Sequence, residues 1–183
     1  GAPATTGIND GVMAIDDRVF LQEMLAAGLG EVVNGIGVHP YGWANPPQSS
    51  VNAPDPYVPT HNNHRSFFYQ DTLDDYRALL DAAGYGEKEL WVTEFGWGSF
   101  EGLGAEPPAG AEFMAQVSAG QQAQYTLDAI EMAATRPGVG PLFLWNLNFA
   151  PLLGPEFSEA GYSLLGLEGE ARPVYMAFQS IRQ

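Results

Sequence analysis

Glu94 closes a short apolar stretch, and its setting suits covalent or acid–base chemistry. Leu90, Trp91 and Val92 precede it, and such a run is typical of a strand buried on both faces in a parallel sheet. Glu94 would then stand at the carboxyl end of that strand, where α/β barrels hold their reactive groups. Trp97 adds a flat apolar face beside the acid, and that pairing suits a sugar ring. A purely structural glutamate, which caps a helix or pairs with an arginine, is the alternative.

Polar and aromatic side chains also follow two other predicted strands. His39 and Tyr41 end one of them, and they share a side because residues two apart in a strand point the same way. The other predicted strand ends with Trp145, Asn146 and Asn148. Three of these residues also have a structural explanation: His39 as a core histidine, Tyr41 as a strand-end cap and Trp145 as filler of the core. Their coincidence at successive strand ends favours a shared site.

The composition excludes several classes of function. The chain has 183 residues, 45% of them hydrophobic, and a formal net charge of −15, so we expect one domain that repels nucleic acid and anionic membranes. Cysteine is absent, which removes disulfides, zinc–thiolate sites and thiol nucleophiles. The single lysine, Lys88, precedes the Glu94 strand and should lie at its opposite end, which argues against Schiff-base chemistry. No apolar run reaches the roughly 18 residues of a membrane span.

Alternating helix and strand signals organise the sequence. Apolar spacing and capping residues predict four helices, which begin near Asp16, Thr72, Ser118 and Pro173. The predicted inward residues of the first three are Phe20, Met24 and Ala27; Leu73, Tyr76, Leu79, Leu80 and Ala83; and Ala123, Leu127, Ile130 and Ala134. Buried strands are predicted at residues 35–41, 89–94 and 141–149.

This order of elements indicates an α/β fold with a parallel sheet and right-handed crossovers. A closed barrel needs eight strands, so three strands form either a small open sheet or part of a barrel. Long loops at 42–71 and 95–117 follow strands at the same end of the sheet and favour the barrel. In such a fragment the two strand edges need a partner, and so do uncovered inward side chains that include Ile36, Val38 and Trp91.

Three segments carry a resemblance to a known family. They are residues 37–42 (Gly-Val-His-Pro-Tyr-Gly), 91–97 (Trp-Val-Thr-Glu-Phe-Gly-Trp) and 143–145 (Phe-Leu-Trp). Together they resemble strands six, seven and eight of the clan A retaining glycoside hydrolases, in particular family 39 and its relatives, which include β-xylosidases and bacterial exopolysaccharide hydrolases. The resemblance runs from about Gly35 to Arg182, and residues 1–16 resemble the loop that leaves strand five. It implies a TIM (β/α)8 barrel, of which residues 1–183 form about the carboxyl-terminal half.

The resemblance also implies roles for single residues. Glu94 is the catalytic nucleophile and forms a glycosyl–enzyme intermediate, because a carboxylate attacks as an anion and leaves again as a weak base. Tyr41 donates a hydrogen bond to Glu94 and favours its charged form. Trp145 is the platform under the sugar. The implied substrate-binding residues are His39, Tyr41, Trp97, Trp145 and Asn148.

The acid/base glutamate of the family has no counterpart in this sequence. It lies in an Asn-Glu-Pro-like motif at the end of strand four, and strands one to four are not matched here. The resemblance therefore implies a partner, an amino-terminal portion of the barrel that carries the acid/base glutamate and completes the site. The loop acids are expected to be solvated surface residues: Glu101, Glu106, Glu112, Glu156 and Glu159.

Two other functions stay open. One is a non-catalytic carbohydrate-binding remnant of a barrel. The other is a barrel enzyme that uses Glu94 to abstract a proton, although residues 148–156 lack the Gly-rich phosphate loop that would support it. No cofactor is implied, and no metal site is predicted because His61, His64 and Asp71 lack a helical frame and a clear third ligand. The absence of cysteine fits a secreted or cell-surface bacterial protein whose signal would lie outside this chain.

Overall fold

Three parallel strands form the centre of the computed structural model, which describes residues 1–181. The strands are β1 (Gly35–Val38), β2 (Glu89–Phe95) and β3 (Val139–Leu144). β2 lies in the middle and pairs with both neighbours; Ile36 is opposite Leu90, and Val92 is opposite Leu142. The predicted parallel sheet is confirmed. The predicted domain of residues 1–183 and the resemblance to Arg182 both extend past the described residues.

Six α-helices of the described residues flank this sheet. They are α1 (Asp17–Ala26), α2 (Leu29–Val32), α3 (Tyr69–Ala82), α4 (Ala119–Ala134), α5 (Phe149–Leu153) and α6 (Pro173–Ser180). The capping box of Ser118 and Gln121 is present at the start of α4, and Pro173 lies in the first turn of α6, so both predictions are confirmed. No helix within residues 1–181 has the length and apolar content that a membrane crossing requires.

α3 begins at Tyr69 rather than at the predicted Thr72. Thr72 is buried and accepts a hydrogen bond from Arg18 (Nη2, 3.3 Å), while Asp75 accepts from Arg18 (2.6 Å) and from Arg65 (Nη2, 2.6 Å). Both residues therefore link α3 to α1, and Asp75 also links it to a preceding 3₁₀ turn (Arg65–Phe67), instead of capping the helix. The short α2 and α5 also differ from the prediction, because four or five residues are too few for an apolar period.

Two helices bury a different face from the predicted one. In α1 the buried apolar residues are Leu21 and Leu25; of the predicted residues, Met24 is half-buried against the core, whereas Phe20 and Ala27 are exposed. In α4 the buried residues are Gln122, Thr126, Ala129 and Ala133; of the predicted residues, Ile130 packs half-buried against the core, Ala123 and Leu127 are half-buried, and Ala134 is exposed. The cause in α4 is polar, because the Gln122 amide donates to the carbonyls of Trp97 (2.7 Å) and Gly161 (2.9 Å). In α3 the predicted core residues Leu73, Tyr76 and Leu80 are buried, whereas Leu79 is half-buried and Ala83 exposed.

The sheet has one covered face and one open face. The covered face of β1 and β2 consists of Ile36, Val38, Leu90 and Val92, all buried in the core beneath the helices. The open face carries Trp91, which is 42% exposed, and Phe143, which is 55% exposed. The prediction of an uncovered Trp91 is confirmed. The same prediction for Ile36 and Val38 is wrong, because side chains alternate along a strand and these two point to the helices.

The loop between β1 and α3 is held by contacts of its own. Trp43 and His61 both have positive φ values (53° and 52°), and their rings stack with centroids 4.9 Å apart. The Asn45 amide donates to the carbonyls of His61 (2.7 Å) and Phe67 (3.1 Å). Phe113 from the loop after β2 meets the Trp43 ring edge-on, so the two long loops pack together.

Candidate active site

Glu94 lies at the carboxyl end of β2, one residue before the strand ends. Its neighbours Val92 and Phe95 are buried, whereas the Glu94 side chain is 32% exposed. Because β2 is the central strand and pairs on both sides, the carboxylate is presented from the most firmly held element of the sheet. This position gives the carboxylate access to a ligand together with a fixed backbone.

The Tyr41 hydroxyl donates a hydrogen bond to Glu94 Oε2 over 3.0 Å. Tyr41 follows β1, and the parallel pairing of β1 with β2 brings the ends of the two strands together. Burial raises the pKa of the Tyr41 phenol above its usual range, and the negative charge of Glu94 raises it further. Tyr41 therefore stays protonated and remains a hydrogen-bond donor to the carboxylate.

His39 approaches the same carboxylate oxygen as Tyr41. Its Nδ1 is 3.6 Å from Glu94 Oε2, and its Nε2 is 3.0 Å from the hydroxyl of Thr93. The His39 carbonyl accepts from the Thr5 hydroxyl (3.0 Å), which fixes the backbone at this point. Burial lowers the pKa of His39, and the charge of Glu94 opposes that shift. The imidazole is therefore neutral near pH 7 and holds both an acceptor and a donor beside Glu94.

Trp97 does not lie where a sugar platform requires it. The residue is 1% exposed, and its Nε1 donates to the Asn45 carbonyl (2.7 Å). Its ring packs against Tyr69 and Tyr125 in the core. The prediction that Trp97 binds substrate does not fit this place. The indole instead joins the end of β2 to the loop after β1, with Gly42 leaving the space that the ring occupies.

Trp145 and Asn148 follow β3. The backbone N–H of Trp145 donates to the Phe95 carbonyl (2.9 Å), so Trp145 starts beside the end of the Glu94 strand. Its side chain is half-buried and meets the Phe149 ring edge-on. Asn148 precedes α5, is half-buried and makes no capping hydrogen bond with its side chain. Trp145 is brought near the strand ends, and Asn148 lies half-buried just before α5.

Tyr162 is a further member of the cluster, and it follows no strand. Its ring meets the Tyr41 ring edge-on, with centroids 5.6 Å apart and planes inclined by 69°. Tyr162 belongs to a 3₁₀ turn, Ser158–Tyr162, in the loop between α5 and α6. The sequence offers no periodic signal there, and only the tertiary contact with Tyr41 reveals this residue.

The loop acids differ among themselves. Glu101, Glu106, Glu112 and Glu156 are exposed, as predicted. Glu101 also accepts a hydrogen bond from Ala119 N (2.6 Å) at the start of α4, so it has a structural role. Glu159 is half-buried and accepts from the Ser158 hydroxyl (3.1 Å), which differs from the predicted solvated position.

His61 and His64 bind neighbours within the protein. His61 lies 2.8 Å from the Thr60 hydroxyl through Nδ1, and His64 Nδ1 accepts from Ser66 N (3.2 Å). Asp71 accepts from Val51 N (2.8 Å). Within residues 1–181 no group of three metal-ligating side chains has a geometry that could hold an ion.

Comparisons with known proteins find likeness in structure alone. No family model matches the chain, and no curated protein matches it. Among solved structures, a family 39 glycoside hydrolase from the gut symbiont Bacteroides cellulosilyticus WH2 superposes with a TM-score of 0.55 at 19% identity, over 85% of this chain and 28% of its own. A family 128 (subgroup II) endo-β-1,3-glucanase from Sorangium cellulosum gives 0.53 at 19% identity, over 96% of this chain and 52% of its own.

A third similar structure is CJP38, a β-1,3-glucanase and allergen of Cryptomeria japonica pollen, with a TM-score of 0.51 at 15% identity over 90% of this chain and 50% of its own. At such low identity these structures show the fold. The chain is a small α/β unit of three parallel strands, consistent with part of a TIM barrel of the kind that glycoside hydrolases use. It spans from about a quarter to about half of the length of the structures it matches.

Proposed function

We propose that the chain is the carboxyl-terminal part of the catalytic barrel of a retaining β-glycosidase of polysaccharides or oligosaccharides, similar to family 39, with Glu94 as the nucleophile. The observation that carries the proposal is the Tyr41–Glu94 hydrogen bond of 3.0 Å at the carboxyl ends of adjacent parallel strands. Burial and the charge of Glu94 raise the pKa of the Tyr41 phenol, so it stays a hydrogen-bond donor and can direct the partly exposed carboxylate toward a ligand.

The proposed chemistry is that of a retaining glycosidase. Glu94 attacks the anomeric carbon through a carboxylate oxygen while the glycosidic bond breaks, and the departing oxygen takes a proton from a second carboxylic acid. Water, activated by that second group, then releases the sugar from Glu94. Neutral His39 is placed to bind substrate hydroxyls beside the reacting carboxylate, and Trp145 would stack on the ring. Asn148 would add a polar contact.

The second carboxyl group must lie about 5–5.5 Å from the first in a retaining enzyme. We propose that an amino-terminal portion of the barrel supplies it and covers the open face of the sheet. Trp91 and Phe143 are exposed on that face, and β1 and β3 have no strand partner on their outer edges among the described residues. Ala2 covers only a small part of the face, where it lies against Gly37. An apolar face with two free strand edges favours pairing with further strands.

Glu94 can be tested as the nucleophile independently of the missing acid. A 2-fluoro glycoside with an activated leaving group reacts without acid help, so we expect it to label the chain covalently on Glu94, as read by peptide mass mapping. Glu94→Gln should abolish the label and the turnover of the assembled enzyme. Glu106→Gln, a change in an exposed loop acid, is the matched control and should leave both intact. A label on another residue would refute the assignment.

The substrate panel should include β-xylosides and β-1,3-glucans, since two of the similar structures are β-1,3-glucanases. Binding without labelling or turnover in any assembly would favour a carbohydrate-binding remnant instead. We also propose that the protein is secreted or cell-surface, and detection of the protein in a cell-free culture supernatant or on intact cells tests this.

The proposed partner leads to a further prediction, about the association state of the chain. The 183-residue chain alone should self-associate or aggregate in light scattering, and the chain combined with an amino-terminal barrel portion should become monodisperse. A stable monomer of the chain alone that hydrolyses β-glycosides would contradict the proposed division of the site.

A further inference from the structure

The carbonyl of Gly161 joins three parts of the fold. It accepts hydrogen bonds from Ser99 N (3.0 Å), from the Gln122 amide (2.9 Å) and from Arg172 Nη1 (3.1 Å). These donors belong to the loop after β2, to α4 and to the residue that precedes α6. One carbonyl with three donors fixes the 3₁₀ turn Ser158–Tyr162 against the rest of the molecule.

Arg172 is the main support of this arrangement. It is 5% exposed and also donates to the carbonyls of Ser163 (3.0 Å) and Ser99 (2.7 Å), so backbone oxygens rather than carboxylates satisfy the guanidinium. Burial lowers the pKa of Arg172 to about 10, which reflects the cost of placing this cation in the interior. Gly161 fits because a Cβ there would come within 2.7 Å of the Met114 sulfur.

The turn fixed in this way ends on Tyr162. Its ring packs edge-on against Tyr41, and one ring carbon lies 3.5 Å from the place that a Cβ on Gly96 would take. Tyr162 is thus packed between the end of β2 and the phenol that donates to Glu94. On the side that faces Tyr162, the Tyr41 ring has an aromatic wall that limits its rotation.

We propose that Tyr162 is a positioning residue, held by the Gly161 carbonyl and Arg172, that keeps the Tyr41 hydroxyl directed at Glu94. The proposal rests on the proposed function for its catalytic meaning. Its structural content, that the Tyr162 ring maintains the Tyr41–Glu94 hydrogen bond, is independent of any activity.

The structural content is tested by nuclear magnetic resonance on the ¹³C-tyrosine-labelled chain, combined with an unlabelled amino-terminal barrel portion if the chain alone aggregates. The signal to follow is that of the Tyr41 ring carbon bonded to the hydroxyl, which is assigned by its change in Tyr41→Phe. This signal should shift as acidification protonates Glu94, and Glu94→Gln should remove the shift. In Tyr162→Leu the shift should fall below half its wild-type size, whereas Tyr162→Phe, which keeps the ring, should retain it. Tyr57→Leu is the control, because Tyr57 is exposed in another loop. An unchanged shift in Tyr162→Leu would overturn the proposal.

The catalytic content is tested on any assembly that turns over a glycoside. Tyr162→Leu should lower kcat by about the same factor as Tyr41→Phe and should leave KM within about twofold of wild type. The kcat of the double variant should be no lower than that of either single variant, because both changes remove the same interaction. Additive losses would refute a shared action. If no assembly is active, the proposed function fails, and the resonance experiment still decides whether Tyr162 positions Tyr41.

Discussion

Removal of the Tyr41 hydroxyl is the change that most directly tests the candidate site. Tyr41→Phe keeps the ring, and with it the edge contact to Tyr162, but deletes the 3.0 Å hydrogen bond to Glu94 Oε2. A hydrogen bond to a charged group contributes roughly 1.5–3 kcal/mol. If the bond is kept in the transition state, its loss lowers kcat/KM by about 10- to 150-fold, since each 1.4 kcal/mol corresponds to about tenfold.

Stability should respond much less than activity. Glu94 is about one third exposed, so water can replace the lost donor, and we expect the free energy of unfolding to change by less than about 1 kcal/mol. Urea unfolding followed by tryptophan fluorescence, beside steady-state kinetics on the active assembly, separates the two effects. Tyr57→Phe, a change at an exposed tyrosine, is the control. A kcat/KM within twofold of wild type would refute the role of Tyr41, and so would a loss of activity that is explained by unfolding.

Three further changes test the surroundings of the site. Trp145→Ala should weaken sugar binding by roughly 1–3 kcal/mol in calorimetry if the indole stacks on the ring, and unchanged binding would make Trp145 a packing residue only. Gly96→Ala should lower the free energy of unfolding by roughly 1–3 kcal/mol, because a Cβ there comes within 2.7 Å of the Trp145 carbonyl oxygen. Gly120→Ala is the control, because a Cβ on Gly120 in α4 has room and should not destabilise the protein. Burial raises the pKa of Tyr69 in the folded protein above its unfolded value of about 10. The stabilisation from the protonated Tyr69 is therefore complete below about pH 10 and is lost as the pH rises beyond that. The urea midpoint should fall above pH 10, and it should fall less steeply in Tyr69→Phe.

The strands and their order could be predicted because local rules dominate there. Leu90, Trp91 and Val92 form an apolar run that is typical of a buried strand, and Pro40 ends the pairing of β1 because it lacks an amide hydrogen. The position of Glu94 and Tyr41 at adjacent strand ends followed from the parallel order. Their hydrogen bond was implied by the family resemblance, and the structure has it.

Residues placed by distant partners could not be predicted. Trp97 beside a carboxylate is equally compatible with an exposed platform and a buried ring, and the Asn45 carbonyl, which comes from another loop, decides for burial. Gln122 turns α4 by one position because two carbonyls satisfy its amide, an arrangement that apolar periodicity cannot register. Tyr162 escaped detection for the same reason, since its partner Tyr41 lies far away in the sequence.

Contacts within the described residues hold Glu94 in place. Tyr41 and His39 reach it from β1, Tyr162 braces Tyr41 from the loop before α6, and the Gly161 carbonyl ties that loop to α4. Trp91 and Phe143, which are exposed on the open face of the sheet, take no part in these contacts. Under the proposed function, the chain contributes a carboxylate that its own residues hold in place, and association with the amino-terminal portion supplies the proton donor and covers the apolar face.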